Sequence, residues 1–131
     1  MVLCDGGAMG LFERFYPDEY LDSAYEIDFG RLYKEGYRGV IFDIDNTLVP
    51  HGAPADARSI RLFDKLREIG FERCLLSNNK EPRVKMFNDK VHSRYIYKAG
   101  KPFVKNYAKV MELMGTVPKT TMFVGDQLFT D

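Results

Sequence analysis

Cysteine is scarce in this chain: Cys4 and Cys74 are the only two among 131 residues, too few for a disulfide framework. Cys74 lies in the apolar run Cys74-Leu75-Leu76, where a buried, inert thiol is the ordinary reading. Such sparing use fits a reducing, intracellular setting. Net charge is absent too, because nineteen Lys and Arg balance nineteen Asp and Glu. That balance removes the global positive charge of a protein that grips nucleic acid through its phosphates, and no nucleic-acid partner is expected. No apolar run approaches the roughly 18 residues of a membrane span. The start, with Asp5 and glycines at Gly6, Gly7 and Gly10, lacks the basic and apolar regions of a signal peptide. A soluble, cytoplasmic protein is the expectation. Also missing are a GxxxxGK phosphate loop and a GxGxxG turn, so ATP and dinucleotide binding lack their usual signature.

What is present is apolar material, at 45% of residues with 14% aromatic, enough for one domain with a real core over 1–131. Nine of the eighteen Phe and Tyr residues fall between Phe12 and Phe42. Residues 1–38 read as an aromatic, helical segment packed on the core, with one helix opening at Pro17 and another bringing Phe29, Leu32 and Tyr33 to one face before Gly36 closes it. Charge is polarised along the chain. Residues 1–79 carry 9 basic and 14 acidic side chains, a net of −5, whereas residues 80–131 carry 10 and 5, a net of +5. The basic run from Lys80 to Lys109 is either a solvated face or a region that steers an anionic partner.

From Gly39 onward, short β-rich runs alternate with amphipathic helical ones. Strands are expected at Val40 to Asp43, Phe71 to Leu76, Tyr95 to Tyr97 and Thr120 to Val124. Helices are expected near 55–69, from Pro82 with Val84, Phe87 and Val91 on one face, and from Pro102 with Phe103, Tyr107, Val110, Met111 and Met114 aligned. This alternation predicts an α/β fold over 39–131: a three-layer, Rossmann-like arrangement around a central parallel sheet.

Ligands of such sheets bind beyond the carboxyl ends of the strands, so the residues standing there matter most. After the first strand comes Asp43-Ile44-Asp45-Asn46-Thr47-Leu48, after the second Ser77-Asn78-Asn79, after the third Gly100-Lys101-Pro102, and after the fourth Gly125-Asp126. Asp43 and Asp45 can share one cleft, where two carboxylates repel unless a cation or proton joins them. Asp126 adds a third hard oxygen, a set that suits Mg²⁺ with phosphate oxygens completing its shell. Zinc is not expected, since neither His51 nor His92 falls in ligand spacing with a cysteine. An EF-hand reading of 43–54 fails at Leu48 and Pro54, where Gly and Glu are needed. Lys101 at a helix start, the Ser77 hydroxyl and the donors of Asn78 complete a receptor for a phosphoryl group. A carboxylate inside that receptor can act as nucleophile and form an aspartyl-phosphate. Each feature alone is weak, and a lone loop aspartate is ordinarily just solvated; the four together, in order and each at a strand end, are a strong signal.

These residues resemble the four motifs of haloacid dehalogenase (HAD) superfamily phosphatases: the DxD of Asp43 to Asp45, Ser77, Lys101, and the GDxxxxD of Gly125, Asp126 and Asp131. The Asn-Thr-Leu continuation, the Ser-Asn-Asn triplet and the Lys-Pro pair resemble class III, subclass IIIA members of YqeG type, which are similar to the mitochondrial phosphatases acting on phosphatidylglycerophosphate. The resemblance implies that Asp43 is the nucleophile and a Mg²⁺ ligand. It implies that Asp45 protonates the leaving group and then activates water, with its main-chain carbonyl on the metal. Ser77 and Lys101 hold phosphoryl oxygens, Asn78 adds a contact, Asp126 ligates Mg²⁺ and Asp131 acts indirectly.

Related chains continue past the last motif through a helix and a strand, so the expectation is a chain truncated after its fourth strand with one sheet edge uncovered. Too few residues separate the motifs for an inserted cap, and the site should be capless and open. An open site suits a large substrate, a lipid headgroup at an anionic membrane surface met peripherally, or a homo-oligomer whose neighbour supplies the lid. The expected substrate is a phosphorylated lipid headgroup or small molecule, with phosphatidylglycerophosphate suggested by the resemblance. The alternatives are a phosphatase of soluble sugar phosphates, nucleotides or nucleic-acid ends, and a non-catalytic phosphate-binding or scaffold module.

Overall fold

In a computed structural model the residues described are 2–4, 12–14, 24–97 and 103–125. Three-residue strands β1 (Val2–Cys4) and β2 (Phe12–Arg14) precede a 3-10 turn at Ala24–Glu26 and the short helix α1 (Phe29–Lys34). The alternation predicted from Gly39 then follows: β3 (Gly39–Phe42), α2 (Ala57–Ile69), β4 (Glu72–Leu76), α3 (Glu81–Val91), β5 (Arg94–Ile96), α4 (Phe103–Met114) and β6 (Thr121–Val124). Strands β6, β3, β4 and β5 lie side by side in that order and are all parallel. The expected α/β architecture with a central parallel sheet is therefore present, with boundaries displaced by one or two residues.

Capping chemistry explains where the helices begin and end. Asp56 accepts from the Ser59 amide at 2.8 Å while the Ser59 hydroxyl accepts from the Asp56 amide at 2.9 Å, a reciprocal cap that starts α2 at Ala57. Gly70 ends α2 with φ at +119°, where a Cβ would also press on the Tyr33 ring. Pro82 sits in the first turn of α3, as proline tolerates.

Successive residues of each strand face opposite sides, and two apolar layers result. Val40 and Phe42 of β3, Leu75 of β4, and Met122 and Val124 of β6 pack with Phe29 of α1, Leu62, Phe63 and Leu66 of α2, and Val84, Phe87 and Val91 of α3. On the opposite face, Ile41, Cys74, Leu76 and Phe123 pack with Val110 and Met114 of α4. Aromatic edges knit the first layer, with Phe42 and Phe63 ring centres 5.1 Å apart and Phe29 and Phe71 5.9 Å apart.

The N-terminal segment, expected to be helical, holds the helix α1 near Phe29 and adds two short strands. Strand β1 runs antiparallel to β6, pairing Val2 with Val124 and Cys4 with Met122, and β2 pairs with β1. Among the described residues the sheet thus has six strands in the order β2-β1-β6-β3-β4-β5. The edge of β6 expected to be uncovered is instead paired, which satisfies its outward row of backbone donors and acceptors. The helix expected from Pro17 lies outside the described residues.

The order of strand addition reverses at β3: β4 and β5 are added on one side and β6 on the other, all four running parallel. That reversal is the topological switch point of an open sheet, where a crevice forms beyond the carboxyl ends. Between Asp45 and α2 there are only a turn and a loop, and between Ser77 and position 97 only α3 and β5, as a capless site requires.

Candidate active site

The switch point brings Asp43 and Gly125 together. Asp43 follows β3 directly, and its amide donates to the Val124 carbonyl at 3.0 Å. A Cβ built on Gly125 would lie 2.5 Å from the Phe123 ring and 2.9 Å from the Asp43 Cβ, so glycine alone permits this approach. One strand across, Ser77 follows β4 and is anchored by its amide to the Ile96 carbonyl at 3.0 Å.

After Asp43 the chain turns sharply. Ile44, Leu48 and Val49 are buried in the core, Asn46 takes a left-handed φ of 63°, and the Leu48 amide donates to the Ile44 carbonyl at 3.0 Å. Asparagine tolerates that conformation better than most residues. The Tyr25 hydroxyl donates to the Leu48 carbonyl at 2.8 Å, tying the N-terminal segment to the carboxylate turn. Burial, with the Asp56 charge adding to it, pushes the Tyr25 pKa up to about 12, so the hydroxyl stays a donor.

Asp45 is the most heavily engaged residue of the site. Its Oδ1 accepts from the Gly52 amide at 2.8 Å and from Arg83 Nη2 at 2.7 Å, and its Oδ2 accepts from Asn79 Nδ2 at 2.6 Å. Burial alone would raise its pKa, but these donors and the Arg83 charge outweigh it and hold the carboxyl below its usual range. Asn79 also donates from its amide and its side chain to the Ser77 hydroxyl, at 3.0 and 3.1 Å. Ser77 is 1% exposed, and with two bonds accepted its O–H remains to donate to a further group. A continuous chain therefore runs Ser77, Asn79, Asp45, Arg83.

Arg83 rises from the first turns of α3 with its side chain 14% exposed. Its Nε and Nη1 are buried and, among the described residues, have no hydrogen-bond partner. Unpaired donors of this kind cost about 1–3 kcal/mol each. The Thr47 hydroxyl, beside the carboxylate turn, is likewise buried without a partner.

Of the expected site residues, Asp43 and Ser77 stand at the ends of the adjacent strands β3 and β4, and Asp45 is linked to Ser77 through Asn79. Asn78 is exposed, while its neighbour Asn79 makes the link from Ser77 to Asp45. Lys101, Asp126 and Asp131 lie outside the described residues. His51, with its side chain 79% exposed, stands 4.0 Å from Asp45 Oδ1. Sequence reading gave no site role to Asn79 or Arg83. A usable signal existed in α3: Arg83 stands next to buried Val84 at the helix end nearest Ser77.

For a divalent cation the donor set is one of hard oxygens. Among the described residues the N–H donors to Asp45 fall on its carboxylate, which leaves its main-chain carbonyl and the Asp43 carboxylate as oxygens that could hold an ion. Oxygen donors of this kind fit Mg²⁺ rather than a softer metal. Among the described residues no three His, Cys, Asp or Glu gather as a metal-holding group; the third oxygen was expected from Asp126. No helix of the described residues is long and apolar enough to cross a membrane.

The chain is 36% identical over 118 residues, 89% of its length and 69% of the relative's, to the probable phosphatase YqeG of Bacillus subtilis. No family profile and no solved structure matches it.

Proposed function

The chain belongs to the family of the probable phosphatase YqeG, and on that premise we propose that it is a Mg²⁺-dependent phosphomonoesterase of haloacid dehalogenase type. The observation that carries this reading is the placement of Asp43 and Ser77 at the carboxyl ends of adjacent parallel strands, with Asn79 bonded both to Ser77 and to Asp45. In the proposed reaction an Asp43 carboxylate oxygen attacks phosphorus and the bond to the leaving oxygen breaks, that oxygen taking a proton from Asp45. Water, giving its proton to Asp45, then attacks the aspartyl-phosphate and releases inorganic phosphate. The donors around Asp45 favour its carboxylate form, which suits the water-activating half. The Ser77 O–H and Lys101 hold phosphoryl oxygens, with Asn78 as an added contact. Mg²⁺, held by Asp43, the Asp45 carbonyl and Asp126, would supply the charge that stabilises those oxygens, with Asp131 acting indirectly.

For substrate we favour a phosphorylated lipid headgroup such as phosphatidylglycerophosphate, met at an anionic surface. Lys80, Lys85 and Lys90 are exposed on or beside α3, the helix that starts next to Asn79, and a basic face there attracts anionic lipid. Phosphate release from phosphatidylglycerophosphate in micelles and from an aryl phosphate, each with and without Mg²⁺, tests the reading. Release from both that needs Mg²⁺ supports it, and preference for the micellar substrate supports the lipid. Release without Mg²⁺ overturns the metal assignment, indifference to anionic micelles favours a soluble phosphate ester, and phosphate binding without release favours a binding module.

A further inference from the structure

Arg83 is held in a way that leaves most of its hydrogen-bonding capacity unused. The guanidinium is a planar fork suited to two parallel bonds with an oxyanion. Asp45 does not offer that arrangement here: its Oδ1 is shared with the Gly52 amide and its Oδ2 faces Asn79. The result is a single bond at 2.7 Å from Nη2, with Nε and Nη1 buried and unpartnered among the described residues. A phosphoryl group has three equivalent oxygens and accepts the fork fully. Asp45, for its part, keeps the Gly52 and Asn79 donors if Arg83 leaves.

Resting on the phosphatase reading above, we propose that Arg83 is a second anion-holding residue of this site, one that exchanges its contact with Asp45 for the oxygens of a bound phosphoryl group. The exchange gives partners to both unpaired donors and loses one bond. It also relieves Asp45 Oδ1 of one of its two donors at the moment a phosphoryl group is present, the Gly52 amide remaining. Arg83 comes from α3, and so adds a fixed positive charge to the cradle independently of Lys101. Its position 38 residues after Asp45 means that the first and second strand ends share one anion site.

Calorimetric titration of inorganic phosphate into the full chain, with and without Mg²⁺, tests this for the wild type, Arg83→Met and Arg83→Lys. Hydrolysis of an aryl phosphate by the same proteins gives KM and kcat separately. Loss of a charged, bidentate contact predicts phosphate binding weakened about tenfold to a hundredfold in Arg83→Met, with KM raised in parallel. Arg83→Lys, which keeps the charge but not the fork, should recover only part of the affinity. Unchanged phosphate affinity in either variant, with only kcat or thermal stability lowered, would mean that Arg83 merely clamps Asp45 and would overturn the proposal. If Arg83→Met does not fold, Arg83→Lys decides alone. A wild-type chain that binds no phosphate also overturns it. Arg83-dependent phosphate binding in a chain that hydrolyses nothing would uphold Arg83 and refute the phosphatase reading; hydrolysis with Arg83-independent phosphate binding would do the reverse.

Discussion

Along three neighbouring strands the environment inverts within one residue. Phe42, Leu76 and Val124 are 0–2% exposed and wholly apolar; the next residues are Asp43, Ser77 and Gly125. Inside the sheet, ladder bonds join neighbouring strands and apolar side chains cover both faces, with the Arg73 Nε of β4 the exception, buried without a partner among the described residues. Beyond the strand ends, polar groups crowd together and, among the described residues, the Thr47 hydroxyl and two Arg83 donors go without partners. The contrast teaches that stability resides in the two apolar layers while the strand ends hold groups arranged for something other than stability.

The sharpest way to break this division is to empty the interior and leave the ends intact. Phe63, 2% exposed and stacked near Phe42, should cost about 3–5 kcal/mol when changed to alanine. Denaturant melts would register that loss, and turnover per folded molecule should be unchanged. Gly125→Ala tests the boundary itself. Its Cβ would collide with the Phe123 ring and the Asp43 Cβ, so it should lower stability by about 1–3 kcal/mol and, unlike Phe63→Ala, reduce turnover of the folded fraction too.

Asp56→Ala removes the cap of α2 and should cost about 1 kcal/mol at neutral pH. Burial alone would raise the Asp56 pKa, but the Ser59 amide and hydroxyl outweigh it and hold the carboxyl below its usual value. A carboxyl depressed by folding stabilises above its unfolded pKa, about 3.9, and loses that contribution as pH falls through the folded value. The stability gap between wild type and Asp56→Ala should therefore close on acidification below about pH 4, as melts across pH would show. The smallest effect is expected from Thr47→Val, which removes a buried hydroxyl without a partner and should raise stability by up to about 1 kcal/mol. A loss of turnover in that variant would show that the Thr47 hydroxyl serves the chemistry of the strand ends, whereas unchanged turnover would separate it from that chemistry.

Much of this division was legible in the sequence. Glycine, proline and apolar period marked β3 to β6 and α2 to α4, because parallel strands buried on both faces read as unbroken apolar runs. The first polar residue after each run then named Asp43 and Ser77. Strands β1 and β2 were not legible: three residues each are too short for any period to register, and their place depends on the open edge of β6. Arg83 was read only as part of a basic run, because its partner is 38 positions away and the pairing exists only once α3 packs beside the Asp45 turn. Asn79 was passed over for Asn78, since adjacent asparagines differ only in the direction the backbone gives them.

The central claim is that Asp43, at the end of β3, forms the covalent intermediate. Acid-quenched protein, taken during turnover of an aryl phosphate and read by peptide mass spectrometry, tests it most directly. A phosphoryl group on the peptide containing Asp43, absent from Asp43→Asn together with all phosphate release, is the predicted result; phosphate release by Asp43→Asn at the wild-type rate would contradict it.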